Sequence, residues 1–324
     1  MRTSPLVVVE LRTVVRSQGN NDALKDGTVQ PEGFSLAFEE VPVLIHAFRR
    51  MVRKLEWDLC EMAIATYLCA REHGVRFTAI PVFVMRGFHH STVVHNVRVG
   101  LRSPKDLEGR RVGVNRGYTV TTGVWARGVL QDEFGVDLSK VTWVLSGDEH
   151  VVGYHPPRNV EPLEEGQDLG ELVAAGEIPA AISLPVGDRI EHPDLRPLIP
   201  DAAEAGYEAL RARGHYPINH LLVVRDDVLD RNPGVARAVF EAFAEAKRRY
   251  VDRLRAGAID EPTAADRLYR RVMEITGGDP LPYGVEPNRP MLEELIRHAL
   301  TQEVIRTPVT PEEMFAPETL DLVG

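Results

Sequence analysis

Short runs of β-branched and aromatic residues alternate along this chain with stretches whose apolar positions recur at helical spacing, the rhythm of an α/β fold. PLVVVELRTVV (5–15) predicts a first strand and FSLAF (34–38) a second. VPVLIHAFRRMVRK (41–54) spaces its apolar residues for a helix. WDLC (57–60) predicts a short strand feeding a helix over EMAIATYLCAREHG (61–74), with Gly74 as its C-terminal cap. In that setting Asp58 would cap the helix and Glu61 would lie in its first turn. Apolar Val75, Phe77, Ala79, Ile80, Val82 and Phe83 then predict a buried strand, from whose end the polar cluster RGFHHS (86–91) emerges. Strand ends are where α/β proteins place their ligands.

A second unit follows. Ser103 is a candidate N-cap before a short helix, and RRVGV (110–114) is a strand. GYTVTTGVWARGVLQDEFGV (117–136) reads as a loop and a helix, VTWVLS (141–146) as a strand, DLGELVAAGE (168–177) as a helix and PAAISL (179–184) as a strand. After PINHLLVVR (217–225) the chain is almost wholly helical, over 233–255, 260–275 and 289–302. Two α/β units joined by two crossing segments, STVVHNVRV going out and PINHLLVVR coming back, predict a hinge with a ligand cleft between lobes. The expected lobes are 1–94 plus 221–324, and 95–220.

Composition narrows the classes of function. A hydrophobic content of 44% and a charged content of 27% are those of a globular chain. The formal net charge of −10 disfavours nonspecific nucleic-acid binding. Five apolar residues from Pro5 to Val9 make no signal core and no membrane span. Cys60 and Cys69, without CxxC spacing, read as reduced core residues. These features predict a cytoplasmic protein with no nucleic-acid or membrane partner.

The segments DLCEMAIATYL (58–68), AIPVFVMRGFHHS (79–91), DLEGRRVGVNRGYTVTTGVWARGVLQDEFGV (106–136), HYPINH (215–220) and PLPYGVEPNR (280–289) together resemble the 4,5-dihydroxyphthalate decarboxylase family, in the same order and over roughly 34 to 320. The resemblance implies a two-lobed architecture like the type II periplasmic binding proteins, each lobe a mixed sheet flanked by helices. It implies a carboxy-lyase acting on a hydroxylated aromatic carboxylate. Two departures leave room for a different ring: Asn20 and Asn21 stand near where the family has a tyrosine–aspartate pair, and Asn115–Arg116–Gly117 stands where it more often has an acidic or different residue.

Such a reaction needs a proton donor for the ring carbon, an acceptor for the phenol and a cation for any second carboxylate. His89 and His90 are candidate donors, since imidazole titrates near neutrality. In extended backbone only one of the two would enter the cleft. Arg86 offers a planar fork for a carboxylate, or else pairs with Asp58 or Glu61. Glu61 either serves the helix dipole or orients a histidine. In GYTVTTG, Tyr118, Thr119, Thr121 and Thr122 join Arg116 as an anion site at a helix start. Ser91 completes the first cluster, and Asn219 and His220 are candidates at the returning crossover.

No cofactor is expected. Neither HxH nor HExxH occurs, and neighbouring histidines do not readily chelate one ion from a strand, so a divalent metal is the lesser alternative. A pyrimidine-synthase relative would want a cofactor lysine and a cysteine-rich motif, and neither is visible. The competing class is a cytoplasmic solute-binding protein for a small aromatic or carboxylate anion. The helical last third can present a homodimer face.

Overall fold

The computed structural model describes residues 8–184 and 192–324. The start of the first predicted strand, Pro5 to Val7, lies outside the described residues. The chain forms two compact units: residues through Arg86 with Ile218–Glu293 and Val309–Gly324, and Gly87–Pro217 with Glu294–Pro308. The units thus part at 86/87 and 217/218, where the sequence suggested 94/95 and 220/221.

The first unit is a five-stranded mixed sheet in the order β2 (Phe34–Phe38), β1 (Val9–Val14), β3 (Leu59–Ala63), β11 (Ile218–Arg225), β4 (Phe77–Arg86). β1 runs parallel to β2 and β3, and β11 runs antiparallel to both its neighbours. Strands β1, β3 and β4 therefore end at one edge of the sheet, the edge at which β11 begins. Helices α1 (Asp22–Lys25), α2 (Leu44–Lys54), α3 (Ile64–Glu72), α7 (Asp226–Arg231), α8 (Val235–Arg255) and α9 (Ala264–Thr276) complete the unit.

One boundary differs from expectation in a way that matters. The strand expected at 57–60 lies at 59–63, and its helix starts at Ile64 rather than at residue 61. The ladder with β11 runs from Leu59 to Ala63 and draws Glu61 and Met62 into the strand. All five β3 residues are buried, so no polar–apolar alternation marks the strand in the sequence. Asp58 caps no helix; its side chain accepts the Arg12 backbone N–H at 2.9 Å.

β4 is an edge strand, which is why Pro81 is tolerated within it. Its outer rim is covered. Gly284 N–H donates to Pro81 O at 2.8 Å, and Ala316 N–H donates to Ala79 O at 2.9 Å.

The second unit holds a six-stranded sheet in the order β10 (Leu195–Pro197), β5 (Val93–Asn96), β9 (Ala180–Ile182), β6 (Arg111–Val114), β7 (Thr142–Leu145), β8 (Val160–Pro162). The last four are parallel, and β5 is antiparallel to β9. Its helices are α4 (Thr121–Phe134), α5 (Leu169–Ala175) and α6 (Ala202–Arg213). Helix α10 (Arg289–Thr301) passes from one unit into the other after Glu293. Val94, Val144, Leu169, Val173 and Ile178 pack α5 onto the sheet. Strands β8 and β10, three residues each, leave no periodicity in the sequence to find. Among the described residues no helix is long and apolar enough to cross a membrane.

Candidate active site

In the first unit the polar residues gather where β1, β3 and β4 end. Glu61 sits in the middle of β3 with no exposed surface. Its Oε1 lies 2.6 Å from His220 Nδ1, and its Oε2 accepts the Arg16 backbone N–H at 2.9 Å. The register explains the meeting: Glu61 pairs with Leu222, so His220, two residues earlier on β11, stands diagonally across on the same face. The β11–β4 pairing is irregular on both sides of His220, and such bulges re-aim a side chain. Phe48 meets the imidazole edge-on at 5.1 Å. Among the described residues His220 Nε2 has no hydrogen-bond partner. A carboxylate on Nδ1 holds the ring in the tautomer that presents Nε2 outward.

Arg16 follows β1, is half-exposed, and brings Nη2 to 4.0 Å from Glu61 and 3.5 Å from Met85 Sδ. Sequence reasoning missed it, because a lone arginine after a strand carries no spacing signal. Arg86, by contrast, is buried, and its Nη1 donates to Asn288 Oδ1 at 2.5 Å. Asn288 Nδ2 donates in turn to Pro282 O and Gly284 O. The PLPYGVEPNR segment therefore anchors the end of β4. Asn219 is buried beside His220. Asn20 and Asn21 are buried too, and bind Val84 O and Arg16 O, fixing the turn after β1.

In the second unit Ser91, Thr92, Asn115, Arg116, Thr122 and Ser183 line a pocket of about 360 Å³ floored by Val94, Val120 and Leu184. It opens at the ends of the parallel strands β6 and β9, where an open α/β sheet binds ligands. Arg116 keeps much of its surface open to the pocket, and among the described residues no carboxylate pairs with it; partial desolvation by the surrounding protein lowers its pKa. Arg116 has φ = 76° and Ser183 φ = 64°. Non-glycine residues in this region cost about 1–3 kcal/mol each and cluster at functional sites. Helix α4 begins beside them with no side-chain cap at Val120 and no acidic residue in its first turn. The pocket lies beside this amino end, where a helix dipole favours an anion. A larger cavity of about 490 Å³ in the first unit lies against the carboxyl ends of α8 and α9, where carbonyl dipoles oppose an anion.

The rest of the GYTVTTG turn is occupied by the protein itself. Glu149 accepts from the Tyr118 backbone N–H, from Thr119 N–H at 3.2 Å and from Thr119 Oγ1 at 2.6 Å. A Cβ on Gly117 would stand 2.6 Å from the Glu149 carboxylate, so only glycine allows that approach. Tyr118 is buried with its ring 3.8 Å from the Arg127 guanidinium. Thr121 is buried at the helix start. Of the expected anion site, Arg116 and Thr122 reach the pocket, whereas Tyr118 and Thr119 form its foundation.

His89 and His90 also turn inward. His89 is buried, and its carbonyl accepts Thr92 Oγ1 at 2.6 Å. His90 is fully buried with Nε2 3.0 Å from both carboxylate oxygens of Glu133. His215 Nδ1 lies 3.0 Å from Glu294 Oε1. Asp132, Glu294 and His298 hold ligand-type atoms within 4.8 Å of one another. There Arg297 Nη2 already lies 2.6 Å from Asp132 Oδ2, so a protein cation takes the place a metal would need.

No family model matches the chain. A Comamonas testosteroni protein named 4,5-dihydroxyphthalate decarboxylase is 29% identical over 330 residues, covering 94% of this chain and 96% of that protein. A Pseudomonas putida protein of the same name is 33% identical over 172 residues, 49% of this chain and 64% of that protein. Among solved structures, the desulfurization enzyme DSZB superposes with a TM-score of 0.54 at 14% identity, covering 97% of this chain and 98% of that one. A Candida albicans protein described as having the generic periplasmic binding protein fold gives 0.55 at 12%, covering 98% of each chain. The Escherichia coli aliphatic sulphonate binding protein SsuA gives 0.51 at 10%, covering 95% and 92%. At such identities these structures speak to the fold alone. Over nearly its whole length the chain is similar to a 4,5-dihydroxyphthalate decarboxylase, and it is built on the fold of the periplasmic binding proteins.

Proposed function

We propose that this chain is a cofactor-independent carboxy-lyase that removes CO2 from a hydroxylated aromatic carboxylate, either 4,5-dihydroxyphthalate or a related phenolic acid. The observation that carries the proposal is the Glu61–His220 pair: a fully buried carboxylate in an otherwise apolar strand, fixed on one imidazole nitrogen. In this reading the phenol, having released its proton to water, pushes electron density to the carbon bearing the carboxylate. His220 Nε2–H delivers its proton to that carbon, the carbon–carboxylate bonding electrons return to the ring, and CO2 leaves. Glu61 stabilises the imidazolium before transfer and keeps Nδ1 protonated afterwards. Water restores the Nε2 proton. Within the second unit, Arg116 and the Thr122 hydroxyl line an anion pocket whose polar groups suit a carboxylate. Arg16 adds positive charge beside the histidine. His220 thus takes the donor role that the sequence offered to His89 or His90.

The test is CO2 release from 4,5-dihydroxyphthalate and a panel of hydroxybenzoates, with and without EDTA. The wild type should turn over one of them and keep doing so in EDTA. His220→Ala should lower kcat by about 10²–10⁴, the usual worth of a general acid. Loss of turnover in EDTA would overturn the metal-free mechanism, and full activity in His220→Ala would overturn the assignment. Tight binding of an aromatic acid with no turnover would instead favour the solute-binding reading.

A further inference from the structure

A continuous polar chain runs through the second unit from a buried histidine to the pocket arginine. Glu133, on α4, holds His90 Nε2 by both oxygens at 3.0 Å. His90 opens the single turn His90–Thr92, whose next two residues, Ser91 and Thr92, line the pocket. That turn is closed on itself by Thr92 N–H and Oγ1, both donating to His89 O. Thr92 O accepts Ser183 N–H at 2.8 Å, which holds Ser183 in its left-handed conformation. Asn115 Nδ2 donates to Ser183 O at 2.9 Å, Ser146 Oγ donates to Asn115 Oδ1 at 3.3 Å, and Arg116 N–H donates to Ser146 Oγ at 2.9 Å. Gly147 leaves room for the last step, since a Cβ there would lie 3.2 Å from Arg116 Cα.

We infer that His90 and Glu133 are positioning residues for the anion pocket: their pairing fixes the 90–92 turn, and through Ser183, Asn115 and Ser146 the conformation of Arg116. The inference rests on the reading of this pocket as the carboxylate anchor. A single 3-10 turn contributes few hydrogen bonds of its own, so its neighbours' packing and side-chain pairs must hold it. The pair is well placed to do so. Arg213 also pairs with Glu133, and the His215 ring stands edge-on to His90 at 6.1 Å. Residues so placed alter binding without touching the ligand.

The experiment measures binding of phthalate, a dianion without the phenol, by calorimetry, together with kcat and KM for the turned-over substrate. The variants are Arg116→Ala, His90→Ala, His90→Gln and Glu133→Gln, each checked for a cooperative melt. Glu133→Gln keeps the shape of a partly exposed side chain and guards against loss of fold in His90→Ala. Arg116→Ala, His90→Ala and Glu133→Gln should each weaken phthalate and raise KM about tenfold, the worth of one charged hydrogen bond, with kcat unchanged. His90→Gln, which can still offer a donor to Glu133, should recover most of the affinity. Weakening by Arg116→Ala alone would overturn the positioning role while leaving the anchor intact. Phthalate binding indifferent to Arg116→Ala would overturn the anchor itself. A collapse of kcat in His90→Ala at constant KM would make His90 a proton donor and overturn the inference.

Discussion

At the scale of single residues, what separates a site group from a supporting one here is where its polar atoms are spent. Arg86 and Arg116 look alike in sequence, each following a strand. Arg86 is buried and bound to Asn288, while Arg116 keeps its guanidinium on a pocket without a carboxylate partner among the described residues. Arg86→Met should therefore destabilise the protein by about 1.5–3 kcal/mol, the cost of stranding charged-group hydrogen bonds, and leave KM unchanged. Denaturant unfolding beside steady-state kinetics checks this. A raised KM with unaltered stability would return Arg86 to the binding site. Glu61 carries the same lesson in reverse, since its carboxylate has been drawn out of water to serve one histidine and one backbone N–H.

At the scale of elements, α4 shows a stability feature left unmade at its amino end. This fourteen-residue helix has neither a side-chain cap nor an acidic residue in its first turn, and the Glu149 carboxylate sits only on the Tyr118 and Thr119 N–H groups ahead of it. Thr122→Asp should stabilise the helix by about 0.3–1 kcal/mol through the dipole. The same carboxylate would face an incoming anion in the pocket and raise KM. Gain in melting temperature with loss of affinity is the expected signature, and a Thr122→Asp protein that gains stability and keeps its KM would separate the helix end from substrate. A second element-level test concerns α6. A Cβ at Gly206 would lie 2.5 Å from Phe88 Cβ, so Gly206→Ala should cost about 1–3 kcal/mol by overpacking.

At the scale of the whole molecule, the second unit concentrates buried imidazoles and the carboxylates that hold them. Burial raises the Glu294 pKa, but His215 and His298 outweigh it and hold the carboxyl far below its ordinary 4.5. For Glu133 burial is likewise outweighed, by His90 and Arg213. A carboxyl whose folded pKa is depressed contributes stability that is complete above its unfolded value and is lost as pH falls through the folded one. The melting temperature should begin to fall below about pH 6.5, where burial resists protonation of His215, and fall more steeply below about pH 5 as the carboxyls take up protons. Glu294→Gln should melt lower at neutral pH and show a shallower acid slope. An acid slope identical to the wild type would remove Glu294 as its source.

The sequence by itself determined the alternation of strands and helices, the helical last third, the two α/β units and the resemblance to the decarboxylases. Those follow from periodicity, turn residues and ordered motifs, which are local. It also brought forward Glu61, His220, Arg116 and Thr122. Which partner each residue would spend its polar atoms on was decided only by the fold. Adjacent His89 and His90 stand next to a strand end, and nothing local says that Glu133, forty-three residues on, takes His90 inward. Glu61 moved from helix to strand because β11, far along the chain, pairs with β3. Arg16 and Ser183 entered the account through neighbours distant in sequence. Hydrogen-bond partners and burial are properties of tertiary contacts, and a one-dimensional pattern carries them only where the contact is local.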